Sequence, residues 1–284
     1  MFLNENDLYE IRLNTHWEWV DKFIVIEAGE THTGLKKPFN FDKERFERYS
    51  EKLIYVTFDS FEDEMAKYPQ LLDYTATVDR GPNMASKDWT RDHFQFNYIV
   101  KVLSDVGARP EDQVYISCLD ELVKPDAISA VLPLFSDNQT YNGFRPLVNF
   151  RYTLYAYKLN LLHKTWENHY AGLFTEVGNF DKMLPATIRD RDFKTHHPVE
   201  NAGWHFTFLD KTDGEMVLEK QRSWAHSRDV YPGQKTKFDN STKEEALERF
   251  FSDYSVTVVD ITKDTHPPYV VDNLDKFQEF IFKK

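Results

Sequence analysis

Lys22-Phe23-Ile24-Val25-Ile26-Glu27 is the stretch that decides the fold class. It is a short, β-branched, nearly continuous apolar run, and such a run suits a strand buried on both faces of a parallel sheet. Upstream, Tyr9, Leu13 and Trp17 recur at every fourth position, and Leu8 with Ile11 widens the apolar face. Residues 4–17 are therefore expected to be helical. Downstream, a loop from Ala28 to Lys37 leads towards a second strand at Lys52–Phe58. Residues 91–106 place Phe96, Ile99, Val100 and Leu103 at i, i+3, i+4 and i+7, which predicts a helix. A turn at Gly107–Asp112 then precedes a third strand, Val114-Tyr115-Ile116-Ser117-Cys118. Helix, loop and strand alternate through the first 130 residues. That alternation predicts an α/β fold with a mainly parallel central sheet flanked by helices and joined by right-handed crossovers.

After Asp120 the pattern changes. Pro125 suits the first position of a helix running into Asp126-Ala127-Ile128. Aromatic-rich alternation, as in Phe150-Arg151-Tyr152-Thr153-Leu154-Tyr155-Ala156-Tyr157, reads as antiparallel strands, and Leu274–Ile281 as a short closing helix. No repeat or low-complexity linker interrupts the chain, so one domain over 1–284 is expected, with halves at 1–130 and 131–284.

Hydrophobic residues make up 41% and aromatics 15% of the 284 residues, enough core material to make extensive disorder an unsuitable reading. Lysine plus arginine number 35 against 47 acidic residues, so the net charge is 35 − 47 = −12. That balance weighs against a phosphate-backbone partner, which requires a basic stripe. The single cysteine, Cys118, excludes an internal disulfide and a cysteine-rich zinc site, and fits a reducing cytoplasm. The sequons at Asn138 and Asn240 are read as chance matches, because the acidic N-terminus does not resemble a secretory signal. No run of 18 apolar residues predicts a membrane span.

Ligands of open α/β sheets bind beyond the carboxyl ends of the strands, where Glu27, Asp59 and Asp120-Glu121 stand. The last pair suits Mg²⁺ or Mn²⁺, which prefer oxygen donors and retain phosphate and water ligands. The same carboxylates also suit a solvated turn that caps the helix at Pro125. His205 and His226 are candidates to complete a metal site, and equally suit hydrogen-bonded packing. Trp204 and Trp224 suit either core packing or a sugar platform. The loop Thr31–Pro38, with two hydroxyls and two lysines, suits a phosphate or a solvated turn. Walker, Gly-x-Gly-x-x-Gly, Gly-x-Ser-x-Gly and His-Glu-x-x-His signatures are all absent.

Several stretches, in order, resemble glycosyltransferase family 17, the family of the eukaryotic β-1,4-mannosyl-glycoprotein β-1,4-N-acetylglucosaminyltransferase. They are Leu3–Leu13, Val20–Glu27, the Thr31–Pro38 loop, Ala202–Phe208, the Lys220–Ser223–His226 block and Pro267–Val270. The resemblance implies a GT-A fold, a nucleotide-sugar donor (a UDP-sugar above all), inversion at the sugar, and an Asp-x-Asp-Glu motif for metal and diphosphate. The matching stretch here is Cys118-Leu119-Asp120-Glu121, with cysteine in place of the first aspartate. A second departure is Phe96, where the family's Trp-x-x-Glu-x-x-x-Arg pattern carries arginine, and Asp92 stands for its glutamate.

The resemblance further implies Asp120 and His226 as ligands of Mn²⁺ or Mg²⁺. Lys37 with Arg189 or Arg191 is expected to face the diphosphate. Donor contacts are expected from Glu27, Thr33, Lys37, Asp59, Arg91, Asp92, Cys118, Glu121, Trp204, His205 and Lys220. Asp210, Glu200 and Glu219 stand as alternatives for the base. A bacterial or viral enzyme is expected, in the cytoplasm of a bacterium or an infected host cell, with a glycan or surface polysaccharide as acceptor. Hydroxylated DNA bases, or binding of sugar without turnover, are the alternatives.

Overall fold

The computed structural model describes residues 2–72, 87–137, 139–164, 169–190, 196–229, 236–240 and 242–283. Arg191, Asn138 of the first sequon and Ser241 of the second lie outside them. Helix α1 (Asn6–His16) leads into strand β1 (Phe23–Ala28), which pairs in parallel with β2 (Leu53–Phe58) from Phe23↔Leu53 to Ala28↔Phe58. Short helix α2 (Phe61–Lys67) starts at Ser60, whose side chain accepts from the Asp63 amide and so satisfies one donor of the first turn. Long helix α3 (Lys87–Asp105) follows.

The third strand departs from the parallel expectation. β3 (Gln113–Ile116) runs antiparallel to β7 (His169–Glu176) in a second, seven-stranded sheet. Strand β4 (Glu121–Val123) and helix α4 (Pro125–Val131) come next. The hub of the sheet is β5 (Leu147–Ala156), flanked by antiparallel β7 and by parallel β8 (His196–Thr207). β6 (Leu161–His163) and β9 (Val256–Val258) extend it as antiparallel strands. Parallel pairing among the described residues is thus confined to β1–β2 and β5–β8, and the sheet is mixed. The remaining helices are α5 (Pro185–Asp190), α6 (Glu215–Ser223), α7 (Lys243–Asp253) and α8 (Pro268–Asp272). The closing stretch Leu274–Phe280 forms 3₁₀ turns broken at Phe277 rather than an α-helix. Among the described residues, no helix is long and apolar enough to cross a membrane.

α1 explains how the two sheets meet. Tyr9 and Leu13 pack with Phe23, Val25 and Phe46 beside β1, whereas Leu8 and Ile11 pack with Leu122, Trp204 and Phe206. One helix therefore buries two adjacent apolar stripes, each large side chain stabilising by about 1.5–3 kcal/mol. The same helix carries Glu10, only 2% exposed, whose carboxylate receives Arg45, the Tyr269 hydroxyl (2.6 Å) and Lys276. That hub ties the start of the chain to residues 259 and 266 positions further on. α3 packs Phe94, Tyr98 and Val102 on Phe58, and presents Leu103 with Phe96 and Ile99 to Ile116 and Leu173.

Candidate active site

The turn from β3 to β4 sets the site. β4 pairs antiparallel with β8 in the register Glu121↔His205, Leu122↔Trp204 and Val123↔Gly203. This register needs a glycine at 203, because a Cβ there would collide with the Leu122 carbonyl and the Tyr152 ring. The Phe206 amide donates to the Asp120 carbonyl at 2.8 Å, which fixes the turn against the end of β8. From below, Arg12 on α1 donates to the carbonyls of Cys118 and Glu121, each at 3.0 Å, and to Ser117 Oγ at 2.6 Å. The turn is held by its backbone, so its carboxylates are positioned before any ligand arrives.

Asp120 Oδ2 accepts from Lys220 Nζ at 2.6 Å and lies 3.6 Å from His205 Nε2. Burial alone would raise the Asp120 pKa, but Lys220 and His205 outweigh it and hold the carboxyl well below its ordinary range. Burial disfavours the Lys220 ammonium, yet Asp120 and then Glu5 keep it charged and push its pKa up. Glu121 Oε1 receives Arg189 at 3.0 Å, and its Oε2 accepts the Cys118 amide at 2.8 Å. Arg189 also lies 3.6 Å from Cys118 Sγ and stacks 4.6 Å over the Phe96 ring. The family's arginine position is thus filled by an aromatic ring on which another arginine rests. Burial, followed by the Glu121 carboxylate, pushes the Cys118 thiol up, so it is a neutral thiol at physiological pH.

Lys220 opens onto a cleft lined also by Asn4, Glu5, Leu8, Phe208 and Phe280. Glu219, its neighbour on α6, is exposed beside this cleft and accepts from the Asn4 side-chain amide. Partial desolvation and the Glu5 carboxylate raise the Glu219 pKa. A carboxylate tuned upwards beside a cleft is suited to accept a proton near neutral pH.

The other expected residues are placed elsewhere or otherwise engaged. Asp210 is fully buried; its oxygens accept from the amides of Thr212, Gly214 and Val217 and from the Thr212 hydroxyl. It anchors the entry to α6 instead of presenting a free base. Glu200 is exposed and pairs with Arg151 at 2.6 Å. It sits five residues before His205 on β8, up to roughly 16 Å along an extended strand.

Glu27 is fully buried, with its oxygens taken by Lys37 (2.6 Å), the Asn40 and Phe41 amides, and the Tyr55 hydroxyl. Glu27 and Lys37 therefore neutralise each other. Asp59 is exposed at the end of β2. Thr33 donates to the Arg222 carbonyl at 2.7 Å, while Arg91 donates to the His32 carbonyl and to Glu62. Asp92 lies 3.4 Å from His32 Nδ1. The Thr31–Gly34 loop is consequently a buried hydrogen-bonded knot against α3 and the end of α6, not an open phosphate turn. Trp204 is 4% exposed and donates to the Thr265 carbonyl at 2.8 Å, a core role. Trp224 packs edge-on against Phe208.

His226 does not join the acidic turn. Its Nδ1 pairs with Asp229 at 2.8 Å, and its ring stands against Trp89 and Trp224. Among the described residues, the one cluster of potential metal ligands is Cys118, Asp120 and Glu121, with donor atoms within 4.8 Å of one another. Its chemistry fits Mg²⁺ or Mn²⁺ poorly. Both Glu121 oxygens are taken, Asp120 shares an oxygen with an ammonium, and a neutral thiol is too soft a donor for these hard cations.

A family model described as Glycosyltransferase family 17 matches residues 1–245. The chain belongs to glycosyltransferase family 17, and glycosyl transfer is its general chemistry. No curated protein and no solved structure matches it at a significant level.

Proposed function

We propose that the protein moves a sugar, with inversion, from a nucleoside-diphosphate donor (a UDP-sugar first) to a hydroxyl of a glycan or surface polysaccharide. The supporting observation is Lys220, held by Asp120 and lining the cleft, with its α6 neighbour Glu219 bonded to Asn4 of the same cleft. In the transfer, the donor's C1–O bond breaks and its electron pair stays on the leaving diphosphate. The acceptor oxygen bonds to C1, and its proton passes to a carboxylate. Lys220 supplies positive charge where the leaving oxygen becomes negative. Glu219 is the base of choice among the three candidates, because Asp210 is committed to the Gly214 and Val217 amides and Glu200 to Arg151. The GT-A assignment belongs to this reading. Its support is the parallel β1–β2 pair followed by an acidic turn after β3. The apolar walls Leu8, Phe206 and Phe280, rimmed by Glu5 and Asp7, match a sugar's apolar face and hydroxyl edge.

Thermal-shift screening of nucleoside diphosphates and their sugars, with and without Mn²⁺, tests the proposal. Ligand at about 100 times its Kd stabilises by about 2.7 kcal/mol, a rise of several degrees. Stabilisation by a nucleotide sugar that is then turned over with a glycan supports the reading. Stabilisation without any transfer or hydrolysis would support a binding module. No shift with any nucleoside diphosphate would overturn both.

A further inference from the structure

We propose that Lys220, in place of a divalent cation, is the positive group that meets the donor's diphosphate, so that this transferase works without a metal. The inference rests on the donor reading above and deepens it. Three observations carry it. The oxygens that would bind a cation are already engaged by protein cations and amides, Asp120 by Lys220 at 2.6 Å and Glu121 by Arg189 at 3.0 Å and the Cys118 amide. The turn carries Cys118 where the family motif has a further carboxylate, so its negative charge is one unit short for a hard dication. Lys220 lines the cleft, and among the described residues Asp120 is the sole hydrogen-bond acceptor of its Nζ. An ammonium carries three N–H donors, so two are left to receive an anion.

The geometry separates the roles of the pair. Asp120 does not line the cleft, so a diphosphate entering it meets the ammonium before the carboxylate behind it. Asp120, bracketed by His205 at 3.6 Å, acts as a positioning residue that fixes the Lys220 side chain. The leaving group's new negative charge is stabilised by N–H donation from a group that stays protonated throughout, and no further reactant is needed.

The test is calorimetric binding of inorganic pyrophosphate to the full chain, in chelator and in excess Mn²⁺. The expected result for the wild type is full affinity in chelator, with no gain from Mn²⁺. Lys220→Met should weaken binding by about tenfold or more, and Lys220→Arg should restore most of it, as loss and recovery of a charge-assisted hydrogen bond require. Thermal melting of each variant separates lost binding from lost folding, and the wild-type comparison stands even if a variant fails to fold. Binding that appears only with Mn²⁺, or that survives Lys220→Met in chelator, overturns the inference and leaves the donor reading intact. If neither pyrophosphate nor any nucleoside diphosphate binds in either buffer, both readings fall.

Discussion

Asp210→Asn separates anchoring from catalysis at α6. Asp210 Oδ1 receives the Thr212 amide and hydroxyl, and Oδ2 receives the amides of Gly214 and Val217 at 3.2 and 3.0 Å. Asparagine keeps the shape but replaces one accepting oxygen with an NH₂ group that faces N–H donors. About two hydrogen bonds to a buried charge are lost, at about 1–2 kcal/mol each, so the cost is about 2–4 kcal/mol. At about 2–4 °C per kcal/mol for chains of this order, the melting temperature should fall by about 4–16 °C. Scanning calorimetry measures that fall, and a donor-hydrolysis assay well below the new transition measures turnover. An anchor loses stability first and turnover only through the displaced Lys220 and Glu219. A catalytic base behaves in the opposite way, losing about 10²–10⁴ in rate with its melting point intact. A melting temperature unchanged within about 1 °C together with collapsed turnover would refute the anchoring role.

Glu219→Gln should lower kcat by about 10²–10⁴ with little change in KM, and should remove the acidic limb of the pH–rate profile that a carboxylate with a raised pKa produces. An unchanged profile in steady-state kinetics would point the base elsewhere. Glu10→Gln addresses acid stability. Burial would raise the Glu10 pKa, but Lys276, Tyr269 and Arg45 hold it down to about 2, against an ordinary 4.5. A depressed carboxyl contributes stability that is present above its unfolded pKa and lost as pH falls through the folded one. Urea midpoints of the wild type should therefore drop between pH 4.5 and about 2. The variant should start lower and drop less over the same range. Gly203→Ala should leave no soluble folded protein, or should destabilise by more than about 3 kcal/mol, because its methyl group would strike the Leu122 carbonyl. A fold intact by circular dichroism with a wild-type melting point would contradict the β4–β8 register.

Local pattern revealed the elements better than their partners. The expected helix at 4–17 is α1 at Asn6–His16, and the run at Lys22–Glu27 is β1 at Phe23–Ala28. The alternation around Phe150 is β5, and Pro125 opens α4. Periodicity reports which face is apolar and not which strand lies beside it. For that reason β3 was expected in a parallel sheet with β1 and instead pairs antiparallel with β7. The candidate site follows the same division. The Asp120-Glu121 turn is visible as carboxylates at a strand end. The Lys220 partner of Asp120 stands 100 residues away, and Arg12, which clamps the turn, is 106 residues from Cys118. No local spacing encodes such contacts. Arg12 and Asn4 lie within the Leu3–Leu13 stretch, whose family pattern assigns neither a role, although Asn4 donates to Glu219. Glu27 and Asp210 misled for a related reason: a carboxylate after a strand can bind a ligand or satisfy its own backbone. Only the burial and donors of each show which it does.

The hub at Glu10 also constrains the order in which the molecule is made. Leu3 and Phe280 face the same cleft, and Glu10 waits for Tyr269 and Lys276. A ribosome delivers the chain from the N-terminus at about 5–20 residues per second. Arg45, 35 residues on, can meet the Glu10 carboxylate early, but Tyr269 arrives only after about 13–50 seconds, 259 residues later. Until the last aromatic residues leave the exit tunnel, the cleft lacks a wall. The growing chain then holds the cleft with its apolar lining open to water.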